Sequence, residues 1–311
     1  MSSAVWGRLR AVWEPSQAGY AQSMLSPVAL SNAEPEADPA RAGQLPMPWQ
    51  GVAPAALRAL TGVFTDIDDT LTCDGAIEPA ALAALHALNA AGLPVVAITG
   101  RPMGWSEPFA AMWPVAAIVA ENGAVALVRN GARVETEFAQ DAATRAANAT
   151  RLRDVAARIL AKVPGAALSR DSAGRVTDIA FDHAEFTTLP PSAVEQVVAL
   201  MRAEGMNATI SSIHINGWFG AHTKWSGAVW MVQRLFGRRL EAERDRWVYV
   251  GDSTNDQLMF ERFPLSVGVA NLRAFADQLH TWPAYITDRE RGEGFAEVAR
   301  AVLAARPPRA G

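Results

Sequence analysis

Val63-Phe64-Thr65-Asp66-Ile67-Asp68-Asp69-Thr70 reads as a short buried strand, 63–67, running straight into three carboxylates and a hydroxyl. A strand alternates its side chains between two faces, so Asp66 and Asp68 are expected on the same side of the extended segment. In open α/β sheets, ligands bind outside the carboxyl ends of the strands. Carboxylates crowded there repel one another unless a cation neutralises them, and hard oxygen ligands suit Mg²⁺. An acid pair at a strand end is also a common acidic loop or helix cap. The stretch therefore marks a place, and by itself leaves the chemistry open.

Around this stretch the pattern of strand, then helix, repeats. Residues 79–91 predict a helix, with Pro79 in its first turn and Gly92 just past its end. Segments 94–98 and 115–120 predict further strands, with a short helix over 106–112 between them. Strands alternating with helices imply a parallel sheet covered on both faces. The rhythm then breaks. Asn122-Gly123 and Asn130-Gly131 are hairpin-turn dipeptides. Helices over 141–162 and 191–204 are each followed by two strands, at 166–170 and 175–182, then at 207–211 and 212–216. This is an α+β unit inserted into the α/β domain. Afterwards the first rhythm resumes: a helix over 224–236, a strand at 247–250, a helix at 255–262, strands at 265–269 and 285–287, and a last helix over 293–304.

Three more segments carry polar chemistry at the ends of predicted strands or the start of a helix. Gly251-Asp252-Ser253-Thr254-Asn255-Asp256 supplies two carboxylates, an amide and a helix N-terminus; a helix cap answering the dipole is the plainer reading. Thr99-Gly100-Arg101-Pro102 offers a hydroxyl and exposed amides that suit a phosphate, or is simply a turn. Lys224 opens the helix after the insert. The chain has 28 basic residues and only two are lysines, Lys162 and Lys224. A lysine retained in so Arg-rich a chain points to a site that needs a compact ammonium.

Composition bounds the rest. The chain has 311 residues, half of them hydrophobic and 19% charged, enough to bury a sizeable core in one large domain or two modest ones. That excludes a wholly disordered, collagen-like or disulfide-scaffold protein. A net charge of −4 provides no global basic field for nucleic acid or an anionic membrane. The single cysteine, Cys73, excludes an intramolecular disulfide and a cysteine zinc cluster, and fits a reducing, cytoplasmic setting. No apolar run approaches the ~20 residues of a membrane span, and the N-terminus has no continuous apolar signal core, so secretion and membrane insertion are not expected. Residues 1–59 hold seven of the 19 prolines and no lasting period, and read as a flexible extension.

In this order, Asp66-Ile67-Asp68-Asp69-Thr70, Ile98-Thr99-Gly100-Arg101, Lys224 and Gly251-Asp252-Ser253-Thr254-Asn255-Asp256 resemble the four motifs of the haloacid dehalogenase-like phosphohydrolase superfamily. The placement of the insert is similar to that in its Cof-type branch (subfamily IIB), which carries a C2B cap. The resemblance spans about 61–305. It implies an α/β fold: a Rossmann-like core with a parallel sheet, over 60–137 and 217–305, and an inserted α+β cap over 138–216. Residues 306–311 are expected to fray.

The resemblance also implies roles. Asp66 is the expected nucleophile, forming an aspartyl-phosphate, and Asp68 the expected proton donor and later base. Mg²⁺ is expected on the Asp66 carboxylate, the Asp68 carbonyl and the Asp252 carboxylate. Thr99, Gly100, Lys224 and Asn255 are expected to bind the phosphoryl group, with Asp256 behind them orienting Lys224 or a metal-bound water. Two positions depart from the pattern. Asp69 stands where many members have Gly, and Thr223 precedes Lys224 where an Asp is frequent, which removes an expected lysine partner. The implied activity is a Mg²⁺-dependent phosphatase acting on a small phosphorylated metabolite, with a sugar or polyol phosphate foremost. A sugar phosphomutase and a non-catalytic phosphometabolite-binding protein stay open beside it. Cys73, His214 and His222 read as bland, Trp218 and Phe219 as hinge packing. Arg101 reads equally as a pocket residue or a structural ion pair.

Overall fold

The computed structural model describes residues 44–306. Its main sheet has nine strands, in the spatial order Met47–Pro48, Tyr285–Ile286, Leu265–Gly268, Trp247–Gly251, Gly62–Thr65, Val95–Ile98, Ala117–Ala120, Val125–Asn130 and Arg133–Phe138. The first seven are parallel to their neighbours and the last two close the edge as antiparallel hairpins. The central strands are apolar at nearly every position because both faces are covered. Val63, Val95, Ala97, Val248 and Val250 point into one core, packed by helices Pro79–Ala90 and Arg291–Ala304. Phe64, Val96, Ile98, Trp247 and Tyr249 point into the other, under helices Lys224–Phe236 and Gln257–Arg262.

The insert is a separate layer. Its four-stranded antiparallel sheet runs Asn207–Ile210, His214–Trp218, Asp178–Asp182, Ala167–Leu168. Period-two alternation splits its residues by face. Ile179, Phe181 and Ile215 bury against helices Ala142–Lys162 and Pro191–Ala203, together with Leu152, Ile159, Val197 and Met201. Asp178, His214 and Asn216, one residue out of phase, take the opposite face, where Asn216 Nδ2 reaches the Gly100 carbonyl at 3.2 Å. Asp141 caps the longer helix, its carboxylate accepting from the Thr144 amide at 2.9 Å.

Several expectations change at the edges. The last cap strand runs to Trp218, two residues beyond the expected end of the insert at Asn216. Residues 44–59, read as part of a flexible extension, are anchored on the main domain through buried Trp49, Val52 and Leu57. Met47–Pro48 adds a parallel strand beside Tyr285–Ile286. Trp49 is 1% exposed, and its ring sits edge-on to Tyr285 with centroids 5.5 Å apart. Proline suits an edge strand and a helix's first turn, so proline content alone misled here. The rest of that expected extension, 1–43, and the tail residues 307–311 lie outside the described residues. Arg306, expected to fray, donates from Nη1 to the Leu60 carbonyl at 2.8 Å.

Gly123 joins the two halves of the core. It has φ +108°, and a Cβ there would stand 2.1 Å from the Thr223 carbonyl oxygen, at the residue that caps the Lys224–Phe236 helix. Gly123→Ala therefore combines a backbone region costing about 1–2 kcal/mol for an L-residue with overpacking of about 1–3 kcal/mol. We expect a thermal melt lowered by several degrees. The loss of any activity should exceed what the stability change explains, because Lys224 is displaced with the helix start.

Candidate active site

The polar segments meet at the carboxyl ends of four adjacent parallel strands. Asp66 follows Gly62–Thr65, Thr99 follows Val95–Ile98, Glu121 follows Ala117–Ala120, and Asp252 follows Trp247–Gly251. The Asp66 amide donates to the Val250 carbonyl at 2.8 Å, which locks the two acid-bearing loops in register. Extended geometry ends at Thr65, earlier than the alternation of Asp66 and Asp68 requires. A turn replaces it: the Thr70 and Leu71 amides both donate to the Ile67 carbonyl, at 3.3 and 2.9 Å. Asp69 within this turn has φ 53°, a left-handed conformation that glycine enters freely and aspartate tolerates. That explains why aspartate is accepted at a position where the resemblance leads one to expect glycine.

Asp66, Asp252 and Asp256 bring carboxylate oxygens within 4.8 Å of one another, all buried. They are not equivalent. Asp256 is saturated: Lys224 Nζ donates to its Oδ1 at 2.7 Å, Tyr249 Oη donates to the same oxygen, and the Asp252 and Ser253 amides donate to Oδ2 at 2.9 and 3.2 Å. Among the described residues, Asp252 receives only Thr70 Oγ1, at 3.2 Å on Oδ1, and its Oδ2 is buried with no hydrogen-bond partner. Asp66 Oδ1 faces Lys224 Nζ at 3.0 Å. Lys224 thus has two carboxylate partners although Thr223, not an aspartate, precedes it. Thr223 caps the helix instead, its Oγ1 accepting from the Ser226 amide at 3.1 Å.

The electrostatics follow from burial. Desolvation pushes the Asp66 carboxyl up to about 7, against the pull of Lys224 and with added repulsion from Asp256 and Asp68. Burial also raises Asp252 well above the carboxylate range, with Asp256 and Asp66 as further repulsive neighbours. Burial alone would depress the Lys224 ammonium, but Asp256 and Asp66 hold it above the usual lysine range. One ammonium is shared among three buried carboxylates, so the pocket carries an uncompensated demand for positive charge.

The remaining expected residues follow the same strand ends. Thr99 Oγ1 accepts from the Arg101 amide at 2.9 Å. Asn255 Oδ1 accepts from Ser253 Oγ at 3.0 Å. The Gly100 carbonyl is taken by the cap, receiving Arg175 Nη1 at 3.0 Å and Asn216 Nδ2 at 3.2 Å. Burial raises the Asp68 carboxyl, and the Arg101 guanidinium beside it opposes that rise. Arg101 proves to be both a pocket residue and an ion-pair residue, since Nε lies 3.0 Å from each Asp68 oxygen while Nη1 and Nη2 reach the cap carboxylates Asp171 and Glu185.

Sequence reading missed the residues that close the cap onto the core. Glu121, buried, accepts from the Val176 and Thr177 amides and from Thr177 Oγ1. Arg175 links Gly100 to Asp178, and His214 Nε2 lies 2.9 Å from Glu185 Oε2. Glu121 and Asn122 both have positive φ, near 49° and 55°. The Asn122-Gly123 dipeptide signals the turn, yet nothing local to Glu121 signals that its carboxylate receives another domain's backbone. His222 is buried, and desolvation holds its imidazole down to about 4; its ring stacks against Trp218 at 5.7 Å, the hinge packing expected for Trp218. Cys73 sits in a two-residue strand 3.4 Å from Arg291 Nη1.

Residues 63–188 match the family of haloacid dehalogenase-like hydrolases. Over those residues the chain is similar to that family, and the match runs from the strand before the first acid-bearing loop into the insert. Among solved structures, a Thermoplasma acidophilum protein is 16% identical, with TM-score 0.60, covering 78% of this chain and 98% of that one. The sucrose-phosphatase of Synechocystis, solved with sucrose and phosphate, is 17% identical, with TM-score 0.57, over 79% and 98% of the two chains. The C-terminal domain of C. albicans trehalose-6-phosphate phosphatase is 13% identical, with TM-score 0.61, over 84% and 99%. At these identities the likeness is one of fold. No curated protein sequence matches the chain significantly. Among the described residues, no helix is long and apolar enough to cross a membrane.

Proposed function

We propose that the protein is a Mg²⁺-dependent phosphatase that hydrolyses a small phosphorylated metabolite, foremost a sugar or polyol phosphate, in the cytoplasm. The observation that carries this reading is the asymmetry of the acid cluster. Asp256 is fully engaged by four donors, whereas Asp66 and Asp252 keep buried oxygens turned to a pocket short of positive charge. That donor set, hard oxygens with one orphaned and one only ion-paired, fits Mg²⁺. Asp66, the Asp68 carbonyl and Asp252 would hold the ion; when bound, it supplies charge neutralisation for the phosphoryl oxygens.

In this reading Asp66 attacks phosphorus and carries the phosphoryl group as an acyl phosphate, which water then cleaves. Asp68 gives its proton to the departing alcohol oxygen, and then takes one from the attacking water. Lys224, pinned by Asp256, holds a fixed positive charge beside the phosphoryl oxygens without reorganising during the reaction. Thr99, Gly100 and Asn255 add donors around the same group. The cap excludes water and meets the leaving alcohol. The sugar-phosphate preference draws on the similarity in fold to sucrose-phosphatase and trehalose-6-phosphate phosphatase.

The test is phosphate release from a panel of sugar phosphates and a generic aryl phosphate, with Mg²⁺ or with EDTA. Metal-dependent release of inorganic phosphate supports the reading. An isomeric sugar phosphate without net release points to the mutase, and binding without turnover to a sensor.

Metal binding also has a pH signature. Between the ordinary aspartate value of 3.8 and about 7, folded Asp66 keeps a proton that the unfolded chain has released. The folded state then binds more protons than the unfolded one, so this group's contribution to metal-free stability falls as pH rises through that window. Mg²⁺ displaces the proton. The Mg²⁺-induced rise in melting temperature is expected to grow from pH 5.5 to pH 8; a rise independent of pH would contradict this placement of the ion.

A further inference from the structure

We propose, resting on the phosphatase reading above, that Arg101 is a positioning residue through which closure of the cap sets the orientation of Asp68. Its guanidinium is 5% exposed and has a carboxylate on each edge. On the core side, Nε stands 3.0 Å from both Asp68 oxygens and Nη2 stands 2.9 Å from Oδ1. On the cap side, Nη1 donates to Asp171 Oδ2 at 3.2 Å and Nη2 to Glu185 Oε1 at 2.9 Å. The Trp105 ring lies 5.0 Å from the guanidinium carbon.

The two cap carboxylates are anchored in their own layer. Ser169 Oγ donates to Asp171 Oδ1 at 2.6 Å, and Arg175 Nη2 lies 3.2 Å from the same oxygen. His214 Nε2 is 2.9 Å from Glu185 Oε2, and the Asp182 carboxylate accepts the Glu185 and Phe186 amides at 2.9 Å each. Asp171 and Glu185 therefore move with the cap, while Asp68 belongs to the core.

A guanidinium presents its donors in one rigid plane. With the cap closed, that plane is fixed from three directions, and the Asp68 carboxylate is held by a fork that cannot swing. With the cap open, two of the three carboxylates depart, and the fork is free to turn with Asp68 still attached. The proton donor is then aimed only when the cap has closed over the leaving group. A plain structural latch would share the cap contacts but give no reason for Asp68 to occupy the same guanidinium.

Leaving-group dependence separates the two roles. General acid catalysis is needed for a poor leaving group and hardly at all for a good one. Phenyl phosphate and 4-nitrophenyl phosphate, with Mg²⁺, are the probes; kcat/KM is measured for wild type, Arg101→Ala, Arg101→Lys and the double variant Asp171→Asn with Glu185→Gln. We expect Arg101→Ala to lose about 100-fold on phenyl phosphate and no more than about tenfold on 4-nitrophenyl phosphate. Arg101→Lys keeps the buried charge, and so tests the idea even if the alanine variant fails to fold. It should show the same split, because an ammonium cannot reproduce the fork. The cap variant, with Arg101 and Asp68 intact, should show a smaller split in the same direction. Equal losses on both substrates overturn the proposal, and so does a split in the Arg101 variants with none in the cap variant. Wild-type protein that hydrolyses neither aryl phosphate nor any sugar phosphate overturns the phosphatase reading itself, and the coupling falls with it.

Discussion

Asp66→Asn is expected to abolish metal-dependent phosphate release while leaving the fold at least as stable as wild type without metal. The activity loss should be on the order of 10⁴-fold or more, the scale seen when a covalent nucleophile is removed. A carboxamide cannot form the acyl phosphate, and among the described residues neither neighbouring carboxylate can take its place: Asp256 is tied to four donors, and Asp252 follows the neighbouring strand. Stability moves the other way for a physical reason. Burial pushes Asp66 up to about 7, so its charged form is disfavoured in the metal-free pocket. An uncharged isostere removes that penalty and leaves Lys224 its contact with Asp256. Phosphate release and thermal melting, each with Mg²⁺ and with EDTA, check both halves. Undiminished release would remove Asp66 from the mechanism, whereas a collapsed melt would mean that the Lys224–Asp66 contact outweighs the burial cost.

Lys224→Met should be the most destabilising single change at the site. The methionine keeps most of the stem's volume, so the effect reads the charge. Lys224 is 3% exposed and lies 2.7 Å from Asp256 and 3.0 Å from Asp66. Removing one partner of a buried ion pair strands the other charge, at a cost of about 3–5 kcal/mol. Here two carboxylates are stranded, and Asp252 is already pushed up by burial and then by its acidic neighbours. Mg²⁺ should recover part of the loss by supplying the missing charge. Turnover should still fall about 10²–10³-fold, the usual scale for losing one fixed donor to a transition-state oxyanion. Lys224→Arg should not restore it, because a planar guanidinium does not fit a space shaped for an ammonium. Denaturant midpoints with and without Mg²⁺ would show the stability effect. A midpoint unchanged in EDTA would mean that Asp66 and Asp256 are neutralised some other way.

Much of this molecule was legible in one dimension, for local reasons. A parallel strand buried on both faces writes itself as a continuous apolar run, as in Val95-Val96-Ala97-Ile98, and a helix that starts at proline and stops at glycine marks its own ends, as around Pro79 and Gly92. Polar loops directly after such strands are where a parallel sheet gathers its chemistry, so Asp66, Thr99 and Asp252 were visible as a group once the strands were. Lys224 stood out by composition, as one of two lysines.

What stayed hidden depends on partners distant in the chain. Trp49 is buried, and Met47–Pro48 pairs as an exposed edge strand, because the Tyr285–Ile286 edge is there to receive them, some 240 positions away, and no local period announces that. Lys224 finds its partner in Asp256 and not at residue 223, since a buried ammonium needs a carboxylate in space, wherever the chain supplies it. The cap residues Asp171, Glu185 and His214 look like ordinary polar positions in their own segments. Their roles appear only when two domains close on one another and a single guanidinium meets three carboxylates. Sequence by itself determined the central strands, the insert and the acid-bearing loops, because burial and turn chemistry act over a few residues. Only the tertiary structure decided which charges neutralise which, because Coulomb forces and desolvation are set by distance through space and not along the chain.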